Sequence, residues 1–159
     1  MNDATIGQVS PEFSLPTDDG QTVTRSSLKG KTIVLYFYPK DDTSGCTLQA
    51  QSFSQLLPQF TKANAHVIGV SKDTLTAHQK FRKKYDLTIT LASDADTQVC
   101  EAFGVWQQKS MYGRTYMGIE RSTFVIDATG HITHVWRKVK VAGHAQEVLA
   151  KVQNLATPS

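Results

Sequence analysis

Cys46 is one of only two cysteines in this 159-residue sequence, and it lies where an apolar run ends, a polar turn follows and a helical pattern begins. A cysteine thiol is mostly protonated near neutral pH, whereas the thiolate is the nucleophile. The first turn of a helix favours the thiolate, because backbone N–H groups there lack intrahelical partners and the helix dipole is positive at that end. Two neighbours add to this chemistry. Thr43, three residues earlier, brings a hydroxyl within reach of the sulfur or of an oxygen on an incoming substrate, and serves equally well as an ordinary helix cap. Pro39 offers no N–H, so it either shields one side of the sulfur or simply stops a strand. The three residues together spell Pro-x-x-x-Thr-x-x-Cys. Asp41 and Asp42, between them, read as solvated turn residues.

A sulfur placed this way needs a strand before it and a helix after it. Residues 33–38, Ile-Val-Leu-Tyr-Phe-Tyr, form a continuous β-branched and aromatic run, the pattern of a strand covered on both faces. Phe53, Leu56, Leu57 and Phe60 then recur at helical spacing, which predicts a helix from near Gly45 that Pro58 interrupts or restarts. Upstream, residues 11–24 read as a hairpin about Asp18-Asp19-Gly20, and residues 26–30 allow one helical turn. Downstream, residues 66–71 are a second buried strand. Asp73 or Thr74 caps the next helix, in which His78, Phe81 and Tyr85 share a face. Residues 89–92 are a short strand, and Asp94 or Asp96 caps a helix carrying Val99, Cys100 and Phe103 that Gly104 ends.

Residues 107–118 read as a polar loop containing Met111, Tyr112, Tyr116 and Met117, long enough to border a site. Residues 123–127 and 132–136 form an antiparallel pair, and Ala145, Val148, Leu149, Val152 and Leu155 mark a terminal amphipathic helix. Strands alternating with helices, then an antiparallel pair, predict a three-layer α/β sandwich around a mixed sheet.

Length and composition set the outer limits. Residues 1–159 suffice for one domain with a full core, and 40% hydrophobic with 19% charged residues is an ordinary globular balance. The net charge of +3 carries no sustained basic block: Arg82-Lys83-Lys84, with Lys80, reads as the outer face of a helix, so no nucleic-acid partner is expected. Residues 1–6 lack the pattern of a secretion signal, and no apolar run is long enough to span a bilayer; the expectation is a cytoplasmic protein without a membrane partner. Two cysteines argue against a disulfide framework. The five histidines, at 66, 78, 131, 134 and 144, lack zinc-site spacing, so neither metal nor cofactor is expected.

Pro39, Thr43 and Cys46 in this spacing resemble the active-site motif of the peroxiredoxins. Residues 36–47, Tyr-Phe-Tyr-Pro-Lys-Asp-Asp-Thr-Ser-Gly-Cys-Thr, look like the bacterioferritin comigratory protein, or peroxiredoxin Q, subfamily. The likeness continues through Gly104-Val105-Trp106, Tyr116-Met117-Gly118-Ile119 and residues 121–127, and so covers nearly the whole chain. It implies a single thioredoxin-like domain of the alkyl hydroperoxide reductase/thiol-specific antioxidant type, acting as a thiol-dependent peroxidase on hydrogen peroxide and organic hydroperoxides. Under it, Cys46 is the peroxidatic nucleophile that becomes a sulfenic acid, Thr43 bonds the substrate oxygen and Pro39 is the shield. The same resemblance adds Arg121 as the cation beside the thiolate. It also implies a monomer, with thioredoxin, glutaredoxin or a small thiol as reductant.

The sequence departs from the subfamily pattern in two places. Ser44 stands where proline is common, outside the core triplet. Many relatives carry a resolving cysteine five residues after the nucleophile, where this chain has Gln51, and the second known location, residues 81–84, has none either. Cys100, on a face with Val99 and Phe103, reads as a small buried hydrophobe. The expected cycle is therefore of the one-cysteine type, resolved by an external thiol. Two other functions use the same scaffold. A thiol–disulfide oxidoreductase is opposed by the absence of a Cys-x-x-Cys partner at position 43 or 49, and a peroxide sensor would share the Cys46 chemistry. A glutathione-peroxidase-like enzyme lacks the motif.

Overall fold

The apolar run ahead of Cys46 forms β3 (Thr32–Phe37), the middle strand of a five-stranded sheet in a computed structural model that describes residues 4–156. Residues 1–3, part of the stretch read for a secretion signal, lie outside the described residues. Side chains alternate along a strand, so Ile33, Leu35 and Phe37 enter one core cluster while Val34 and Tyr36 enter another on the opposite face. Hairpin β1 (Ser14–Pro16) and β2 (Thr22–Thr24), with α3 (Gln98–Ala102), covers the first cluster through Phe13, Leu15, Val99 and Cys100. Helices α1 (Ser44–Lys62), α2 (Leu75–Tyr85) and α4 (His144–Ala156) cover the second through Phe53, Phe60, Phe81 and Val148. The result is the expected three-layer α/β sandwich with an N-terminal hairpin.

β3 pairs in parallel with β4 (Ala65–Ser71), which pairs in parallel with β5 (Thr90–Ser93). On its other side β3 runs antiparallel to β8 (Ser122–Ile126), which pairs antiparallel with β9 (Ile132–Trp136). The sheet is thus mixed, in the order β5-β4-β3-β8-β9. Among the described residues, no helix is long and apolar enough to cross a membrane.

Several local expectations are corrected. Residues 107–118 are not a loop but a hairpin, β6 (Trp106–Met111) and β7 (Arg114–Ile119). Its two-residue turn, Tyr112-Gly113, has both φ angles positive, at 53° and 77°, which suits the twist of a tight hairpin. Pro58 neither breaks nor restarts α1. The carbonyl of Ser54, left without its helical N–H donor by the proline ring, instead accepts from the Thr88 hydroxyl at 3.2 Å. The N-cap of α2 is Thr74, one of its two expected candidates, whose side chain accepts from Ala77 N, whereas that of α3 is Thr97 rather than Asp94 or Asp96. Asp94 reaches α3 from outside the cap, accepting from Val99 N and, at 2.7 Å, Cys100 N. Leu155, placed in the apolar stripe of α4, is 40% exposed.

Gly69 of β4 lies against the ring of Tyr36, where an added Cβ would stand 2.7 Å from the Tyr36 hydroxyl and 2.8 Å from its ring carbon. Tyr36 is fully buried and stacked on Phe53 and Tyr38, so it has nowhere to move. Gly69→Ala is expected to destabilise the fold by about 1–3 kcal/mol through overpacking, read as a lower urea midpoint at unchanged slope.

Candidate active site

The strand-to-helix turn begins where β3 gives out. Tyr38 still donates its N–H to Val70 O, extending the pairing one residue, and half-buried Pro39 follows with no N–H to give. Thr43 is the N-cap of α1, in extended conformation, but its side chain caps nothing; the hydroxyl donates to Lys40 O at 3.2 Å. The first-turn N–H groups are therefore not consumed by the Thr43 side chain, and an anion at this helix start meets open donors. Cys46 lies in that turn, 1% exposed and free of any disulfide.

Arg121 reaches it from the far side of the sheet pairing. Phe37, the last residue of β3, pairs with Ser122, so the antiparallel register sets Arg121 level with Tyr38, one residue past the end of the strand. Its Nη2 donates to Cys46 Sγ at 3.2 Å, and its Nη1 donates to Gln49 Oε1 at 2.6 Å. A Cβ at Gly45 would stand 3.3 Å from Nη2, so the glycine admits the guanidinium against the first turn of α1. The main chain of Arg121 is held by Val139 N, which donates to its carbonyl at 3.0 Å.

The structure thus brings Cys46 and Arg121 into contact, with Thr43 and Pro39 in the turn that leads to the sulfur. It places Cys100 elsewhere. Cys46 belongs to the core cluster under α1, Cys100 to the cluster on the opposite face of the sheet. Burial pushes the Cys100 thiol far above its ordinary range, and the neighbouring Asp94 carboxylate pushes it further.

Some polar residues escaped the sequence reading. Gln49 carries the weak signal of standing one helical turn after Cys46, on the same face. Asp41 is not a solvated turn residue: it is buried, accepts from the Tyr38 hydroxyl at 2.5 Å and faces His78 Nδ1 at 2.6 Å. Nothing local marks a pair separated by 37 residues. Asp42 is exposed as expected, paired with Lys84 and accepting from the Tyr85 hydroxyl. Lys109 of β6 lays its stem across Gly118, and its ammonium is weakened by partial burial and by the nearby charge of Arg121. Among the described residues, no group of three or more His, Cys, Asp or Glu could hold a metal ion.

Comparison with known proteins places this arrangement. The AhpC/TSA family matches residues 6–135. The chain belongs to that family. A Coxiella burnetii relative is 51% identical over 147 residues, 92% of this chain and 97% of the relative. Peroxiredoxin Bcp of Bacillus subtilis is 46% identical over 151 residues, 95% of this chain and 96% of that one. Among solved structures, a cysteine-to-serine variant of Xylella fastidiosa PrxQ superposes with a TM-score of 0.92 at 41% identity, covering 99% of this chain and 100% of that one. The Xanthomonas campestris bacterioferritin comigratory protein, described for its alkyl peroxide reduction activity, gives a TM-score of 0.87 at 43% identity over 91% and 92% of the two chains. This peroxiredoxin is therefore a thioredoxin-fold enzyme, a thiol peroxidase of the Bcp/PrxQ type.

Beside the peroxiredoxin's arginine lies a histidine kept neutral. His144 is 6% exposed, shares a hydrogen bond of 2.8 Å with Thr123 Oγ1 and is flanked edge-on by Phe53 and Trp136. Burial holds it down to about 4; Glu147 opposes this and the charge of Arg121 adds to it. Such a histidine takes up its proton in the unfolded chain first, so its contribution to stability is intact above 6.5 and is lost as pH falls toward about 4. The loss amounts to about 3 kcal/mol. His144→Gln, which keeps a partner for Thr123, is expected to remove most of this difference between urea unfolding near neutrality and in mild acid.

Proposed function

We propose that Cys46 is the peroxidatic nucleophile and that the cycle is of the one-cysteine type. The observation that carries the reading is the Arg121 guanidinium at 3.2 Å from Cys46 Sγ, on a helix turn that the Thr43 side chain leaves uncapped. The thiolate attacks the distal oxygen of ROOH: an S–O bond forms, the O–O bond breaks, and RO⁻ leaves to take up a proton. Sulfur is oxidised to the sulfenic acid and the peroxide is reduced to water or an alcohol. Arg121, the Thr43 hydroxyl and the open N–H groups of α1 stabilise charge spreading over both oxygens, and Pro39 screens the sulfur from water. Hydrogen peroxide and organic hydroperoxides are both substrates in this reading, the latter supported by the alkyl peroxide reduction of the Xanthomonas relative.

An external thiol then condenses with the sulfenic acid, releasing water and leaving a mixed disulfide, and a second thiol frees Cys46. Thioredoxin, glutaredoxin or a small thiol can fill this role. Support for an external partner comes from Gln51 in place of a nearby cysteine and from Cys100, which is buried across the sheet with its thiolate strongly disfavoured. The proposed unit is a single-domain monomer working in the cytoplasm.

Cys46→Ser is expected to abolish peroxide consumption in a reductant-coupled assay, and Arg121→Ala to slow it by roughly 10²-fold, the scale of losing one preorganised charge-stabilising donor. Retained turnover in the serine variant would remove Cys46 from the mechanism. After one equivalent of peroxide, non-reducing mass spectrometry is expected to find Cys46 as a trappable sulfenic acid. A dominant Cys46–Cys100 disulfide would overturn the one-cysteine cycle.

A further inference from the structure

The turn that carries Pro39 and Thr43 is fastened at its midpoint by buried groups that the peroxidase mechanism does not use. Asp41 is held three ways. Its Oδ1 accepts from the Tyr38 hydroxyl, its Oδ2 faces His78 Nδ1 at 2.6 Å, and its N–H donates to Asp73 Oδ2 at 2.9 Å. Asp73 is itself fixed by the Ser71 hydroxyl at 2.6 Å. His78, wholly buried on α2, points its other nitrogen at Ala92 O at 2.9 Å. A carbonyl only accepts, so Nε2 carries a proton, and with Asp41 as a carboxylate Nδ1 carries one too.

The next residue is gripped by the same helix. Asp42, at φ 63°, receives Lys84 Nζ at 2.9 Å and the Tyr85 hydroxyl at 2.5 Å. His78, Lys84 and Tyr85 thus make α2 a splint along the turn. On the other flank, Lys40 O accepts the Thr43 hydroxyl, so the placement of Asp41 bears directly on where that hydroxyl sits.

We propose that Asp41 and His78 are positioning residues of this peroxidase, a buried couple that clamps residues 39–43 so that Thr43 and the first turn of α1 stay presented to the peroxide. The proposal rests on Cys46 and Thr43 having the roles given above. Burial disfavours charge on His78, yet the Asp41 hydrogen bond and charge, with the Ala92 carbonyl and Asp73, raise it above its ordinary value of 6.5. The groups facing the couple are Tyr38 just past β3, with Tyr36 of β3 stacked on it, Asp73 from the segment before α2, and the neutral Ala92 carbonyl from β5. A raised histidine contributes most below its ordinary value, and its contribution is lost as pH rises through the raised one. The clamp therefore loosens on the alkaline side.

The test compares two reactions of the same sulfur: oxidation of Cys46 by hydrogen peroxide, which needs the oriented turn, and alkylation by iodoacetamide, which needs only the thiolate. In Asp41→Asn and His78→Gln, the peroxide rate is expected to fall by roughly tenfold or more, in keeping with the penalty for misplaced catalytic groups, while alkylation changes by less than about threefold. A ratio of the two rates within about twofold of wild type in a folded variant, or a matched fall in both, overturns the positioning role. Should neither variant fold, the wild-type protein decides. Nitrogen-15 NMR is expected to show protons on both His78 nitrogens near neutral pH, with the rate ratio dropping where the second proton is lost. A singly protonated ring near neutrality, or a flat ratio through the ring's titration, overturns the proposal. These readouts compare rates at Cys46 itself, so they stand apart from the Cys46→Ser test, which asks whether that sulfur is the nucleophile at all.

Discussion

The contact between Arg121 and Cys46 exists only because β8 runs antiparallel to β3 in one register. A slip of one residue would turn every side chain of β8 to the other face and carry the guanidinium with it. The pairing is pinned from both sides of the sheet, since Phe124 and Ile126 enter one core cluster and Val125 the other. Hydrophobic burial thus fixes a polar geometry that two residues 75 apart in sequence could not find by themselves. Gly45 completes the fit, because any larger side chain at that position would press on the same guanidinium.

The same sheet keeps the two thiols apart. Cys46, on α1, belongs to the cluster under the helical layer of α1, α2 and α4, and Cys100, on α3, belongs with Phe103 and Phe124 to the cluster on the opposite face. Joining them would require unpacking a face of the fold, at a cost in buried apolar surface far beyond that of moving one loop. Burial, and then the Asp94 carboxylate, disfavour the Cys100 thiolate, the form that attacks. Chemistry and packing therefore both support the proposed one-cysteine cycle.

Much of this was legible in the sequence wherever burial writes a periodic pattern. Residues 33–38 announced a two-sided strand, and the helical stripe of Phe53 and Phe60 announced α1. The 107–118 hairpin did not announce itself, because most of its side chains are exposed and no apolar alternation marks either strand. Pro58 misled for a different reason: the usual penalty is met by Thr88, a residue 30 positions away that no local rule connects to it. At the site, the Pro39, Thr43 and Cys46 spacing was visible and Arg121 came through family resemblance. Gln49 and the Asp41–His78 couple depended on tertiary neighbours. Asp41 in particular carries the composition of a solvated turn and the environment of a core residue.

The electrostatics of the site follow from which partners are neutral. Arg121 needs a second acceptor to hold its plane, and that acceptor is the amide of Gln49 rather than a carboxylate, so the anchoring bond does not cancel the guanidinium charge. His144, near enough to feel Arg121, is kept uncharged by burial, and Lys109 gives up part of its preference for charge on the same account. Burial and the charge of Arg121 thus both work against further positive charge in this poorly solvated space, where like charges repel most strongly. Arg121 and the open start of α1 both lie at one sulfur. In the proposed reaction such a field suits the thiolate before attack and the charge shared between sulfur and the two peroxide oxygens during it.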